Sequence, residues 1–188
     1  MYISDEFFTS APAENNRAER ENRVYKFLDT LGIDYRGLDH DRADTMEICR
    51  LIEDKLGAEI CKNLFLCNSQ KTAFYLLLMP GDKVFKTKFL SKQINSARLS
   101  FASPDDMLAK LGVEPGSVTV FGLLNDSEKQ VRLLIDKPLL EKEYIGVHPC
   151  VNTSVVRVKT ADLINKIIPA LGYEYTVVDL PVPETENQ

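Results

Sequence analysis

Apolar residues recur at helical spacing in several segments of the chain. In the first of them the apolar positions are Val24, Phe27, Leu28 and Leu31, and Gly32 follows as a helix end. The predicted helices cover residues 13–31, 44–56, 86–94, 104–111 and 161–171.

Residues at the helix ends support these assignments. Asp44 is a predicted N-cap with Glu47 three residues later, and Thr160 is a predicted N-cap of the last helix. Pro104 occupies the first helical position of its segment, and Gly112 closes that segment.

Other segments alternate apolar and polar residues or form short apolar runs between turn residues, which is typical of strands. The predicted strands are residues 33–38, 61–67, 72–79, 98–101, 131–136, 144–147, 154–158 and 174–180. Residues 68–71 have the composition of a turn, so the strands on either side are expected to form a hairpin.

Helices and strands intermix along the chain without regular β-α-β alternation. The pattern therefore predicts an α/β, α+β-like fold in which a mixed β-sheet is surrounded by helices. We expect residues 1–12 to be an irregular lead-in, residues 13–180 to form a single domain and residues 181–188 to be a flexible tail.

Lys62 is a charged residue in an otherwise apolar predicted strand. Side chains alternate across a strand, so Lys62 shares one face with Leu64 and Leu66, and Asn63 shares the other with Phe65. If the leucines face the core, the Lys62 ammonium lies at its rim and needs an anionic partner. That partner is a structural carboxylate or a substrate phosphate, and the residues alone favour a structural lysine.

Composition sets the broad class of the protein. With 188 residues, 44% of them hydrophobic and 27% charged, the chain is expected to form one core. It has neither an apolar run of membrane-spanning length nor the basic and apolar start of a secretory signal, so we expect a cytoplasmic protein that does not bind membranes. The 4 cysteines form no C-x-x-C pair and no zinc spacing, which predicts reduced, mostly buried thiols and no metal or cofactor.

The net charge of -5 argues against indiscriminate binding of nucleic acid. However, every charged residue between positions 83 and 98 is basic: Lys83, Lys86, Lys88, Lys92 and Arg98. This basic segment is either a solvated helix face or a local landing site for the acceptor end of a tRNA.

The chain offers little for nucleophilic catalysis. It has no G-x-S-x-G motif and only 2 histidines, which disfavours a Ser-His-Asp hydrolase. His148 and Cys150 would point the same way on an extended chain, but residues so close in one strand rarely reach hydrogen-bond geometry.

Segment 112–124 combines glycines with apolar residues, which favours a loop whose backbone is closely packed. The N–H groups of a loop bracketed by Gly116 and Gly122 could face a developing oxyanion. Taken alone, however, these glycines are more typical of simple turns, and His148 is more typical of a core histidine.

Three stretches taken together resemble a known family: residues 62–66 (KNLFL), 111–123 (LGVEPGSVTVFGL) and 148–153 (HPCVNT). They are similar to free-standing relatives of the bacterial prolyl-tRNA synthetase editing domain, the YbaK/ProX family, and within it to the branch that deacylates Ala-tRNA(Pro). The resemblance runs from about residue 24 to residue 180. It departs from the family pattern at Val120, where a proline is usual, and at Cys150, where a leucine is usual.

The resemblance implies hydrolysis of the ester that joins alanine to the terminal adenosine of mischarged tRNA(Pro), without a covalent nucleophile. The expected partners are the acceptor end of that tRNA and prolyl-tRNA synthetase. By the same resemblance, catalytic roles fall on Lys62, Gly122 and His148, and tRNA binding falls on the basic segment. The expected substrate-binding residues are Asn63, Gly116, Ser117, Thr119, Phe121, Asn152 and Thr153.

Two alternatives stay open at this stage. The first is a deacylase for another mischarged tRNA such as Cys-tRNA(Pro), because pocket volume rather than the shared motifs sets that choice. The second is a non-catalytic module that binds tRNA or an amino acid, which the unusual Val120 keeps open. The sequence leaves the oligomeric state undetermined.

Overall fold

The computed structural model describes residues 2–13, 16–43 and 45–182, and it arranges their strands in two sheets. The predicted cap Asp44 and residues 183–188 of the predicted tail lie outside the described residues. The mixed α/β fold class expected from the sequence is confirmed, although the strands divide between two sheets.

The larger sheet has five strands in the order β4-β2-β3-β5-β8. Their bounds are Lys62–Asn68 (β2), Phe74–Met79 (β3), Leu99–Phe101 (β4), Val131–Asp136 (β5) and Tyr175–Val178 (β8). β2 pairs antiparallel with both β3 and β4, whereas β5 pairs parallel with β3 and with β8. The sheet is therefore mixed, and the predicted β2–β3 hairpin is confirmed.

The smaller sheet has three antiparallel strands in the order β1-β7-β6, with bounds Arg36–Asp39 (β1), Tyr144–Val147 (β6) and Ser154–Lys159 (β7). One isolated parallel bridge, between Ile60 and Gly146, joins it to the start of β2. The lead-in also contacts this sheet, because Phe8 pairs with Gly37 of β1. A Cβ atom at Gly37 would lie 2.0 Å from the Phe8 ring, so only glycine allows this approach.

The helices begin and end close to the predicted positions, with two exceptions. Their bounds are Glu19–Thr30 (α1), Met46–Leu56 (α2), Thr87–Gln93 (α3), Pro104–Leu111 (α4), Lys137–Leu140 (α5), Thr160–Asp162 (α6) and Ile168–Ala170 (α7). The first helix starts later than predicted because Ala18 has an extended backbone. α5 was not predicted. Among the described residues, no helix is long and apolar enough to cross a membrane.

The cap predictions have mixed outcomes. Ser103 and Asp106 form a capping box at the start of α4, and Thr45 caps α2 by accepting from the N–H of Ile48. The prediction for Thr160 is wrong, because its hydroxyl is buried without a hydrogen-bond partner. Between α6 and α7 the chain forms a π-helical turn, Leu163–Ile167, just before Pro169, which cannot donate a helical hydrogen bond.

The faces of β2 look into two different cores, as the alternation of its side chains predicts. Phe65 and Cys67 pack into the larger core, which combines side chains from both sheets and from α1. Leu66 packs on the opposite face of the five-stranded sheet, in a smaller core that also contains Leu90 of α3.

A buried ion pair anchors the segment between β3 and α3. The Lys83 ammonium lies 2.6 Å from Asp136, and both side chains are almost completely buried, at 6% and 0% exposure. The other oxygen of Asp136 accepts a hydrogen bond from the N–H of Leu180. Asp136 therefore fixes both the chain before α3 and the chain after β8.

We predict that Lys83→Met lowers the free energy of unfolding by about 3–5 kcal/mol, because Asp136 is then buried without its cation. The double variant Lys83→Met, Asp136→Asn should recover much of that loss, since asparagine keeps an acceptor for Leu180 and carries no charge. Urea unfolding of the single and double variants measures both effects. A stable single variant would contradict the assignment of a charge-neutralising pair.

Candidate functional site

One cleft brings together three of the expected site residues, Asn63, Gly116 and His148, and it lies at one edge of the five-stranded sheet. It has a volume of about 310 Å³, and its lining includes Asn63, Phe101, Met107, Gly116, Val118 and His148. These residues come from β2, β4, α4, the glycine loop and the chain after β6. We call this space the edge cleft.

The edge cleft exists because the pairing of β2 is interrupted. The Phe65 carbonyl accepts from the N–H of Ala102, just after β4, and the Cys61 N–H donates to the Gly146 carbonyl of β6. Asn63 lies between these two contacts and directs its backbone N–H and C=O toward the same edge. Neither backbone group has a hydrogen-bond partner there among the described residues, so Asn63 presents an open donor and an open acceptor.

The side chain of Asn63 is also incompletely satisfied. Its Nδ2 donates to the Cys61 carbonyl at 3.0 Å and contacts the Cys61 Sγ at 3.4 Å. Its Oδ1 is buried and has no hydrogen-bond partner within the part of the chain that the structure describes. Leaving such an acceptor unpaired costs about 1–3 kcal/mol, which a ligand with a donor group could remove.

His148 has a defined tautomer. Its Nδ1 lies 2.8 Å from the Ser154 carbonyl, which can only accept, so Nδ1 carries the proton. Burial lowers the pKa of His148 below its usual range and outweighs the opposing effect of that hydrogen bond, and the neighbouring His40 lowers it further. At neutral pH the ring is therefore uncharged, and Nε2 holds a free lone pair.

Gly116 lies at the mouth of the glycine loop with φ +86°, a conformation that side chains rarely adopt. A Cβ atom there would lie 3.3 Å from Nδ2 of Asn152, so the loop and the expected substrate-binding residue Asn152 are in contact. The backbone N–H groups of Gly116 and Val118 donate to no acceptor among the described residues. Both residues line the edge cleft.

The rest of the loop turns inward. This corrects the site roles that the sequence suggested for Ser117, Thr119, Phe121 and Gly122. Ser117, Thr119 and Phe121 are buried, and Thr119 Oγ1 accepts from the N–H of Phe121 at the start of a 3₁₀ helix, Val120–Leu124. The Gly122 N–H donates to the Thr119 carbonyl. A Cβ atom at Gly122 would lie 2.9 Å from the Leu111 Cβ of α4, so this glycine serves close packing and its N–H does not face a substrate.

Lys62 lies on the other face of the sheet from Asn63, as strand alternation requires. Its ammonium donates to the Lys83 carbonyl at 2.8 Å and forms no ion pair within the described part of the chain. It borders a larger cleft of about 730 Å³ that also contains Glu53, Glu59 and Asp82. Lys62 and His148 thus do not line the same cleft.

The basic segment is only partly a surface feature. Lys86, Lys88, Lys92 and Arg98 are exposed. Lys83 is not, because it is buried against Asp136, so its assignment to tRNA binding is wrong. Sequence reasoning could not separate Lys83 from its neighbours, since its partner lies on a strand far along the chain.

Cys150 and His148 do not form a catalytic pair. Cys150 has φ +64°, which breaks the extended path that would align the two side chains. Cys150 lines a separate crevice with Arg20 and Phe121, and burial raises the pKa of its thiol to about 12. A neutral, enclosed thiol is a poor nucleophile.

Asn152 and Thr153 follow on the same connection between β6 and β7. Thr153 is exposed, and its carbonyl accepts a hydrogen bond from the N–H of His40, which holds this connection against the end of β1. The ring centroids of His40 and His148 lie 6.0 Å apart, and Nε2 of His40 is buried with no hydrogen-bond partner in the described ranges. His40 was missed because it occurs in a polar turn with no motif around it.

The sequence reasoning also missed Phe101 and Met107 as cleft residues. The ordinary strand pattern around Phe101 gave no sign of a site. Within the described residues, no cluster of three or more His, Cys, Asp or Glu side chains is arranged to hold a metal ion.

Comparisons with known proteins agree with this geometry. A model of the aminoacyl-tRNA editing domain matches residues 40–166. The prolyl-tRNA editing protein ProX of Acetoanaerobium sticklandii is 35% identical over 86% of this chain and 98% of its own length. Prolyl-tRNA synthetase associated domain-containing protein 1 of Danio rerio is 28% identical over 74% of this chain and 76% of its own.

A solved structure of a candidate trans-editing enzyme for prolyl-tRNA synthetase shares the fold. It superposes with a TM-score of 0.64 at 19% identity and covers 88% of this chain and 98% of its own. The resemblance inferred from the sequence is thus confirmed, as is the expectation of an enzyme of this class. The chain belongs to the family of aminoacyl-tRNA editing domains.

Proposed function

We propose that the protein is a trans-editing deacylase that hydrolyses the ester bond of mischarged Ala-tRNA(Pro). The observation that carries the proposal is the edge cleft, where an unpaired amide oxygen of Asn63 and a neutral histidine lie together. The family membership and the similarity to proteins named for prolyl-tRNA editing support it.

Asn63 is proposed to hold the amino acid. Its buried Oδ1 lacks a donor, and the α-ammonium group of an aminoacyl ester is a strong donor. Bound in this way, the ammonium satisfies an acceptor that the empty cleft leaves unpaired. Proteins that recognise a ligand through such groups discriminate strongly against ligands that lack them.

His148 is proposed to handle the proton of the attacking water. Water forms a bond to the ester carbonyl carbon while Nε2 of His148 accepts its proton. The bond to the ribose oxygen then breaks, and that oxygen takes the proton back from His148. The products are free alanine and tRNA with a free terminal hydroxyl.

The loop is proposed to stabilise the oxyanion that forms on the carbonyl oxygen. The free N–H groups of Gly116 and Val118 border the cleft, as does the open-edge N–H of Asn63. Backbone donors of this kind are effective because they are fixed before the reaction starts. This role replaces the one first assigned to Gly122.

Selectivity for alanine is proposed to come from the apolar wall of the edge cleft, to which Met107 and Val118 contribute. Prolyl-tRNA synthetase supplies the mischarged substrate, because a few missing methylenes change binding by only about 1–3 kcal/mol. A second site that admits alanine and excludes proline corrects that error. The apolar wall is what would collide with a proline ring.

The proposal is tested by deacylation assays on tRNA(Pro) charged with alanine, cysteine or proline, with tRNA(Ala) charged with alanine as a further substrate. We expect rapid release of alanine from tRNA(Pro) and little release of proline. Preferential release of cysteine would establish the alternative substrate. Binding of all four species without hydrolysis would establish a non-catalytic module.

We predict that His148→Asn lowers kcat by about 100-fold or more while KM changes little. The asparagine amide can still donate to the Ser154 carbonyl from near the position of Nδ1, but it has no atom at Nε2. His148→Gln is the matched control, because its amide reaches the Nε2 position but cannot take up a proton there, so its kcat should fall about as far. Wild-type kcat in the folded His148→Asn variant would remove His148 from the chemistry.

We predict that replacing Lys86, Lys88 and Lys92 together by glutamine raises KM and flattens its dependence on salt, because exposed cations that contact phosphates release counterions. Turnover at saturating substrate should be unchanged. The matched control replaces the exposed Lys137, Lys159 and Lys166, which alters net charge equally but lies outside the basic segment. Equal effects of the two triple variants would show that only overall charge matters.

A further inference from the structure

We infer that Phe101, supported by Phe85, forms a stacking platform for the terminal adenine base of the tRNA. The inference rests on the proposed function, because it assigns a subsite for the nucleoside to which the scissile ester is attached. No motif in the sequence marks either aromatic residue as part of a site.

Phe101 is a large apolar side chain in an unusual position. It is 59% exposed, although it belongs to a strand, and it lines the edge cleft. Phe85 packs edge-on against it, with ring centroids 6.2 Å apart and an interplanar angle of 70°. Phe85 in turn packs against the smaller core, so the Phe101 ring is held from one side and open on the other.

The chemistry of the substrate requires a base-binding surface at this rim. The aminoacyl group is joined directly to the ribose of the terminal adenosine, so the adenine must lie within one sugar of the groups that hold the ester. Phe65 also lines the edge cleft, but it is 1% exposed and cannot present a ring face. Phe101 can present a ring face. Stacking on aromatic side chains is the usual way in which proteins hold unpaired bases.

The charges around the two rings fit a nucleic acid. Lys86 directly follows Phe85, Lys88 is two residues further on, and both are exposed. All charged residues from Lys86 to Arg98 are basic and exposed, although the chain as a whole has a net charge of -5. An aromatic face beside exposed cations is the combination that single-stranded nucleic acid requires, with bases on the ring and phosphates on the lysines.

The chain contains no tryptophan, which allows a direct test. Phe101→Trp introduces the only tryptophan of the chain at an exposed position, and its emission can be excited separately from that of the 7 tyrosines. Stacking of adenine quenches it. The probe is a short RNA ending in CCA, and the control probe is the same RNA with an abasic 3′-terminal nucleotide. Val177→Trp is the matched control, because Val177 is 48% exposed on β8, at the far edge of the same sheet.

We expect the CCA probe to quench the fluorescence of Phe101→Trp and the abasic probe to leave it largely unchanged. Val177→Trp should respond to neither. Equal quenching by both probes, or none, would overturn the stacking assignment. Concentration-dependent fluorescence changes without RNA would instead identify the surface as a contact between copies of the chain and would likewise overturn it.

The activity arm uses Phe101→Ala and Phe101→Tyr. Loss of one base–aromatic stack should raise KM for the mischarged tRNA about tenfold in Phe101→Ala, while tyrosine should retain near-wild-type KM. Val177→Ala should change neither KM nor kcat. Unchanged KM in Phe101→Ala would overturn the inference. The fluorescence arm needs no hydrolysis, so a failure of the deacylase proposal and a failure of the stacking platform give different results.

Discussion

The interruption in the pairing of β2 is the constraint on which the candidate site depends. β4 and β6 both approach the same edge of this strand, at Phe65 and at Cys61, and neither reaches Asn63 between them. A continuous ladder would have filled the space that the edge cleft occupies. The gap leaves backbone groups and a side-chain oxygen unpaired, and such groups lower stability by about 1–3 kcal/mol each when buried. A ligand that supplies the missing donor therefore binds to a site that is already formed, without first ordering a loop.

The glycine loop depends on the same packing and divides its residues between two tasks. Its inner half, through Gly122, fits against α4 so closely that any side chain at that position would collide with Leu111. Its outer half, at Gly116, takes a conformation that leaves N–H groups at the cleft. The contact of Gly122 with α4 fixes the position of the N–H groups near Gly116, because a loop that could shift against α4 would not hold these donors still. Val120, which stands where the resembled family usually has a proline, lies within this packed inner half as the first residue of the 3₁₀ helix.

Much of the fold follows from the pattern of the sequence, and the reasons for the failures are specific. The β2–β3 hairpin, the start of α4 at Pro104 and the alternation of Lys62 and Asn63 were predictable, because each depends on residues a few positions apart. The burial of Lys83 was not, since its partner Asp136 is supplied by a parallel strand and no local signal encodes that contact. The edge cleft was not predictable either, because no local signal encodes the contacts that form it. Asn63, Gly116 and His148 could be named from the family resemblance, but the rest of the lining and the separation of Lys62 from His148 require knowledge of which strands pair.

The electrostatics of the site favour a reaction in which a side chain that is uncharged at rest takes up a proton. His148 is held neutral by burial and by the nearby His40, and its tautomer is fixed by the Ser154 carbonyl. Cys150, two residues along, is enclosed elsewhere with a raised thiol pKa. Cys61 lines the edge cleft, but burial raises the pKa of its thiol to about 12, so it too is neutral and a poor nucleophile. The exposed cations lie outside the cleft, where they can attract phosphates without changing the protonation of the histidine inside. In the function proposed above, binding of the polyanion and hydrolysis of its ester fall to different groups of residues, so a substitution should be able to alter either one while the other is retained.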